Sequence, residues 1–405
     1  MADPKLKLGN DIWATKQKSL LAYNDEGGNF KSLPFQVDRI SGGTYVGRNG
    51  LIQSAASNEP RIDFLNNTKG HLLLEPSRTN KMPSSEDFNG ADWNRASLTI
   101  NSDDAISPYG TSTADKITFT GNGSLRTWNT FTFTDAYTYS IFVKKGNSRY
   151  VTLRSFAFTT SAAIGFDLDT VTSETGGVIE QYPNDWFRLS ISKDISSDAD
   201  KNGYFYFYLP NNLGSTTSVS GNYAYIFGNQ IEEGSYATSY IPTSGSAVTR
   251  VVDGIEQSGF QGKVMNATQG TIFIHFNNPI EDGDNNDFHM FRSEGASGIE
   301  NGFLFRLNTG TGVDILERVL NATGAQFSNI VVKGQENKIA ISFTSSTLLG
   351  SGNGVTKSYA GTYLGTKINI DEFQNSGATL QGFDIIDMKF YDTALTQEEI
   401  NALTS

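Results

Sequence analysis

Few side chains in this sequence could carry bond-making chemistry. Cysteine is absent, which removes thiolate metal sites, cysteine nucleophiles and disulfide frameworks in one step. A serine nucleophile needs a base, and there are three histidines, His71, His275 and His289. None stands in a G-x-S-x-G elbow or an H-E-x-x-H zinc signature. His275 falls in an alternating run, TIFIHF from Thr271 to Phe276, and reads as a strand histidine. Gly350-Ser351-Gly352-Asn353-Gly354 lacks the Gly-Lys-Ser/Thr of a phosphate loop and reads as a hairpin turn. A glycosidase needs only two acids a few ångströms apart, which local spacing does not reveal. The near-adjacent pairs Glu232-Glu233, Asp167 with Asp169, and Glu398-Glu399 read as solvated surface charge.

Two groups could bind without reacting. The run from Glu281 to Asp287, EDGDNND, offers hard oxygen ligands from Asp282, Asp284 and Asp287 that suit a structural Ca²⁺. It is not an EF-hand, since Asp287 occupies the place of the loop glycine, and a solvated loop is the competing reading. Aromatic residues are the other group. Sugars stack their apolar faces on tryptophan or tyrosine and hydrogen-bond to neighbouring polar groups. Trp93, Trp128 and Trp186 lie beside Asn94, Arg126 and Asn184, so Trp93, Trp128, Arg126 and Trp186 are the candidate carbohydrate-binding residues, with core packing the alternative.

These side chains must be positioned by strands. The 405 residues are 12% aromatic and include 41 glycines, a balance that favours strands and turns. The length fits two or three domains, each able to bury a core. A formal charge of -12 argues against a nucleic-acid partner. No apolar run has the length of a signal peptide or a membrane span, so no membrane insertion is expected. Tyr137 to Val143 alternates apolar and polar residues before Lys144-Lys145-Gly146, and Tyr204 to Leu209 reads YFYFYL. A strand apolar on both sides is either central in a sandwich or offers an aromatic face to a ligand. After Pro242, a Ser- and Gly-rich stretch leads to five more strand candidates, from TIFIHF to FDIIDMKFY. Thr396-Gln397-Glu398-Glu399 is a capping box that opens a C-terminal helix. Lys5, Lys7, Lys16 and Lys18 among leucines make the first thirty-five residues locally basic, as in an arm or an edge strand.

Asn58 to Phe64 (NEPRIDF), Leu72 to Asn80 (LLLEPSRTN), Asp185 to Ser190 (DWFRLS), and Gln230 through Ser239-Tyr240-Ile241-Pro242-Thr243-Ser244 together resemble a module of bacteriophage virion fibre and spike proteins. The stretch beginning Ser85-Glu86-Asp87-Phe88 is similar to the opening of a carbohydrate-binding-like jelly roll. Residues from Asn337 to Ala340 and from Ala394 to Leu403 resemble a laminin G or concanavalin-like sandwich. The resemblance implies an all-β fold of two tandem antiparallel β-sandwich (jelly-roll) domains with a short N-terminal attachment segment and a short C-terminal helix. The expected divisions are an arm over 1–35, a leader over 36–83 packed on the first sandwich, a jelly roll over 84–243, a linker over 244–261 and a second sandwich over 262–405. It implies a tail or head fibre on the virion surface, made in the host cytoplasm, attached to other virion proteins through its N-terminal segment. Its partners would be host-surface glycan and further copies of itself, as in a homotrimer. No catalytic motif transfers, so the reading is a non-enzymatic binder. A decoration fibre without a ligand and a polysaccharide depolymerase are the alternatives. A bacterial polysaccharide-utilisation protein should carry an export signal.

Overall fold

The computed structural model describes residues 1–16, 19–24, 29–258, 268–277, 286–295, 299–307, 313–319, 322–327, 334–359, 372–375 and 383–405. Strands dominate them, and Gln397–Thr404 is the one α-helix among the described residues. The chain divides into two compact units, one of residues 1–48, 55–77 and 251–405, the other of residues 49–54 and 78–250. Among the described residues no helix is long and apolar enough to cross a membrane.

The unit formed by 49–54 and 78–250 is an antiparallel sandwich. Its strands run in the order Thr172–Ser173, Ala162–Asp167, Tyr150–Phe156, Asn202–Tyr208, Ser112–Thr127, Tyr223–Glu233, Ala136–Lys145, Trp186–Asp194 and Gly177–Tyr182. Ser112–Thr127 belongs to both halves: Asp115 to Thr118 ladder with Tyr223–Glu233, while Leu125 and Arg126 ladder with Asn202–Tyr208. The sheet folds over at this strand and sets its two halves face to face. Phe205 from one half then meets Tyr139 and Tyr137 from the other, with ring centroids 5.0 and 5.2 Å apart. Alternation supplies the rest of one continuous core, including Leu125, Val151, Leu153, Phe166 and Phe207 against Ile141, Val143, Leu189, Ile191 and Ile226.

The outer surfaces of the two halves are treated differently. Behind Ala136–Lys145, Phe142 is buried under Tyr182, Phe227 and Tyr240. The chain from Thr238 to Thr243 is tied down over this side. The Arg188 guanidinium donates to the Thr238 carbonyl at 2.6 Å, and the Ile241 N–H donates to Gln230 Oε1 at 2.7 Å. The Asn80 side-chain amide donates to the carbonyls of Asn229 and Ile241, and its oxygen accepts from the N–H of Met82 and Ile231. A register shift between Ser140 and Phe142 brings Gly228 to φ 56° against the rings of Phe142 and Tyr240, where a Cβ would crowd both. The half built on Asn202–Tyr208 carries less cover: on its outer side Thr152 and Tyr208 are buried, while Arg126, Arg154, Tyr204 and Tyr206 are half-buried and Phe156 is exposed.

In the other unit, Phe383–Tyr391 ladders with Leu6–Gly9, with Gly270–Asn277 and with His71–Leu74. Gly270–Asn277 pairs on its other side with Glu336–Phe343, which leads to Leu348–Gly352 and Val355–Tyr359. Asn29–Asp38 pairs with Ser19–Asn24 and with Gly254–Ser258. The helix buries Ile400 in a cluster with Phe273, Ala340, Tyr391 and Leu395, and Thr396 closes the capping box with Glu399. Arg39 and Arg61 are fully buried and share Asp253, and Arg61 also donates to Glu75 at 2.7 Å. A buried carboxylate that accepts from two guanidiniums and from a backbone N–H keeps its charge compensated.

Two sequence expectations differ from this arrangement. The described residues among 1–35 do not stand off as an arm: Leu6 and Leu8 are buried, and their strand is hydrogen-bonded along Asp387 to Phe390. Of the expected linker over 244–261, the described residues 244–258 include two strands. Val248–Arg250 pairs with Arg78–Asn80, and Gly254–Ser258 pairs with Asn29–Asp38 and Glu372–Asn375. The physical reason is the same in both places, because a polar or basic segment is still a good strand when its alternate side chains reach a core.

Candidate functional site

Alternation along Asn202–Tyr208 sends Phe205 and Phe207 into the core and sets Tyr204, Tyr206 and Tyr208 on the opposite side. The neighbouring strands place cations between them. Arg126 stands opposite Tyr206 on one side and Asn94 on the other, and Arg154 stands opposite Tyr206 from the third strand. Phe156 stands opposite Tyr204.

The side chains interleave. The Arg126 guanidinium carbon lies 4.5 Å from the Tyr204 ring centroid and 5.9 Å from that of Tyr206. Arg154 lies 4.5 Å from Phe156 and 5.9 Å from Tyr206. Tyr206 is therefore flanked by two guanidiniums at equal distance. It also stacks nearly parallel on Tyr208 at 5.9 Å and meets Phe156 edge-on at 6.1 Å. Burial pushes the Tyr208 phenol above its ordinary value, against hydrogen bonds with Arg154 and Ser124 that pull it back. Neither Arg126 nor Arg154 forms a salt bridge with a described residue. At the margins, Trp128 is 56% exposed and Phe156 42% exposed. Beside the face, Gly165 stands opposite Thr152, and a Cβ there would lie 2.2 Å from the Gly214 nitrogen, so the turn at Leu213-Gly214 crosses close over this strand. Rings that present partly open faces, with guanidinium and amide groups between them, can stack a sugar and hydrogen-bond its substituents.

Of the four residues singled out in the sequence, the structure brings one to this face and leaves a second, Trp128, exposed just past the end of its strand. Arg126 lies in it, and Trp128 is two residues further along the chain, held by its backbone N–H to the Asp92 carbonyl at 2.7 Å. The other two are corrected to core residues. Trp93 is 3% exposed and packs on Phe88 at 5.1 Å. Trp186 is 1% exposed, and its indole N–H donates to the Ile106 carbonyl at 3.1 Å. Neither ring has a face left for a sugar. Arg154 and Phe156 were missed, although the alternation Arg154-Ser155-Phe156 marks a strand with one polar-aromatic side.

The acidic candidates separate as well. Asp282 and Asp284 lie outside the described residues, and the backbone of Asp287 falls in the strand Asn286–Gly295, in register with Arg306. Among the described residues no three acidic or histidine side chains gather around one point where a metal could sit. Glu232 is a correction: it is fully buried and accepts from Gln230 Nε2 and from the Thr238 N–H and hydroxyl. Asp167 is held by the Arg149 fork at 2.6 to 3.1 Å. His275 contacts Glu336 at 2.6 Å, and burial draws its imidazole below the ordinary value.

No protein-family model matches the chain, and no curated protein resembles it in sequence at a significant level. Solved structures give low-scoring likenesses. The Ruminococcus gnavus sialidase module CBM40, solved with α2,3-sialyllactose, is 20% identical over 34% of this chain and 83% of its own, with a TM-score of 0.28. A carbohydrate esterase from the Shiga toxin-encoding bacteriophage phi24B is 10% identical over 35% of this chain and 76% of its own, at 0.27. The tandem CBM22 domains of Paenibacillus barcinonensis Xyn10C are 10% identical over 79% of this chain and 99% of their own, at 0.26. Scores of this size transfer neither ligand nor activity, and what this chain does is argued from its own residues.

Proposed function

We propose that this chain is a bacteriophage virion protein, a tail or head fibre, that binds host-surface glycan through the Arg126–Tyr204–Tyr206–Arg154–Phe156 face without cleaving it. The observation that carries the glycan reading is the interleaving of three partly open rings with two guanidiniums on the outer side of the sandwich. Core packing does not require this composition, because the opposite side of the same strands already supplies the core. The runs from Asn58 to Asn80 and from Gln230 to Ser244 support the virion reading. Attachment to other virion proteins through residues 1–35 then uses folded strands, and assembly as a homo-oligomer, such as a trimer, follows the habit of fibres.

The test is binding of the labelled protein to host cells and to a glycan array. The expected result is saturable binding that is lost on competition with one class of sugar, together with inhibition of phage adsorption by the free protein. Absence of binding by folded, oligomeric protein would favour a structural fibre or decoration, and release of reducing ends from host polysaccharide would favour a depolymerase.

A further inference from the structure

The same face carries an electrostatic feature that a site for neutral sugar does not need. Arg126 and Arg154 approach one ring, Tyr206, from opposite sides, each 5.9 Å from its centroid. They sit on strands two ladder steps apart, so their backbones are separated by about 10 Å. Two like charges brought this close repel unless something answers them. Elsewhere in the unit some cations are answered by carboxylates, Arg149 by Asp167 and Lys145 by Asp169, and others by backbone carbonyls, Arg95 by those of Phe88 and Gly90 and Arg188 by that of Thr238. In this face neither guanidinium has a carboxylate partner among the described residues, and the surroundings are Asn94, Ser124, Thr152 and tyrosines. The chain as a whole carries a charge of -12, so an unanswered positive pair stands against the overall balance.

From this we infer that the ligand of the face is an anionic glycan, one whose carboxylated sugar ring stacks on Tyr206 while Arg126 or Arg154 forks onto its carboxylate. This rests on the glycan-binding reading of the same face and adds the ligand's charge to it. Guanidinium matches a planar carboxylate through two parallel N–H donors, and a ring held against them lowers the entropy cost of that match. The spacing supports a sugar bound at one ring and extending along the row toward Tyr204 and Phe156. Nucleic acid would use the same two chemistries, yet it needs a longer basic track than two arginines on an acidic protein.

The test is titration calorimetry of the intact protein with a panel of carboxylated oligosaccharides: galacturonan, glucuronan, mannuronan and sialylated chains. Each is run beside its methyl ester, which keeps the ring and removes the charge. A sulfated oligosaccharide, a neutral glucan and a single-stranded oligonucleotide complete the set. The expected result is that at least one carboxylated member binds, that its methyl ester binds at least about tenfold more weakly, and that R126Q or R154Q costs about tenfold. Equal binding of acid and ester overturns the charge assignment and leaves the glycan reading standing. Failure of every carboxylated member, or tighter binding of the sulfated chain or the oligonucleotide, overturns it too. Failure of all sugars together would count against the glycan reading itself. The acid and ester comparison uses wild-type protein, so it stands whether or not the arginine variants fold.

Discussion

Trp93 and Trp186 are buried in the sandwich unit, whereas Trp128 stands exposed at its surface. Trp186→Ala should cost about 3–5 kcal/mol of stability, the range for removing a large buried aromatic ring. Denaturant unfolding measures it, and the affinity of the folded fraction for glycan should be unchanged. Trp128→Ala should leave the melting temperature within a degree or two, while weakening binding about three- to tenfold if its ring extends the face. A single titratable group offers a sharper check on the buried side. Burial pushes the Asp115 carboxyl up to about 6, with one oxygen accepting the Asp103 N–H at 3.0 Å and the other left without a partner. The ordinary carboxylate value is about 4, so between about 4 and 6 the folded protein keeps a proton that the unfolded chain has lost. Stability from this group is complete below that window and falls as pH rises through it. Asp115→Asn removes the titration, so the stability of wild type relative to the variant should decline from pH 4 to pH 6 and stay level above. A difference that does not change with pH would contradict the assignment.

At the scale of elements, alternation along Tyr137 to Val143 and along Tyr204 to Leu209 was enough to place strands, because a period of two is a local property of the chain. Which strands meet is not local. Arg154 and Phe156 reach Tyr204 and Tyr206 only through a ladder between residues about fifty apart, and Leu6–Gly9 reaches Phe383–Tyr391 across nearly the whole sequence. No spacing rule within a window carries such pairings. That is why the aromatic run is visible as a run and Arg126 is visible beside Trp128, while Arg154 on the far side of Tyr206 is not, and a buried N-terminal strand reads as an arm. The tryptophans show the same limit, since residue type alone does not say which side of a strand faces water. The N-terminal strand gives a direct test. Leu8→Ala should lower stability by about 2–5 kcal/mol, as for a buried leucine. A free arm predicts no change in the same thermal or denaturant melt.

At the scale of the whole molecule, an acidic chain divides into two β units, and one of them carries a partly open arginine–aromatic face. The runs that resemble phage virion proteins have mostly structural work here. Arg61, Glu75 and Asp253 form a buried charge network, and Gln230 to Thr243 covers the back of the sandwich. The resemblance therefore reads out the scaffold, while the proposed ligand face is built from Arg126, Arg154 and their rings, which lie outside those runs. The proposed fibre role carries its own expectation, that the chain sediments as a homo-oligomer, and a monomer by sedimentation would count against that role. The most direct test of the central claim is a binding isotherm for the Tyr204→Ala/Tyr206→Ala double variant on whichever glycan the wild type binds, with its fold checked by near-ultraviolet circular dichroism and melting. These rings lie on the side away from the core, so the variant should fold, and its affinity should drop at least about tenfold. Wild-type affinity in a folded double variant would contradict the account and move the glycan site elsewhere on the chain.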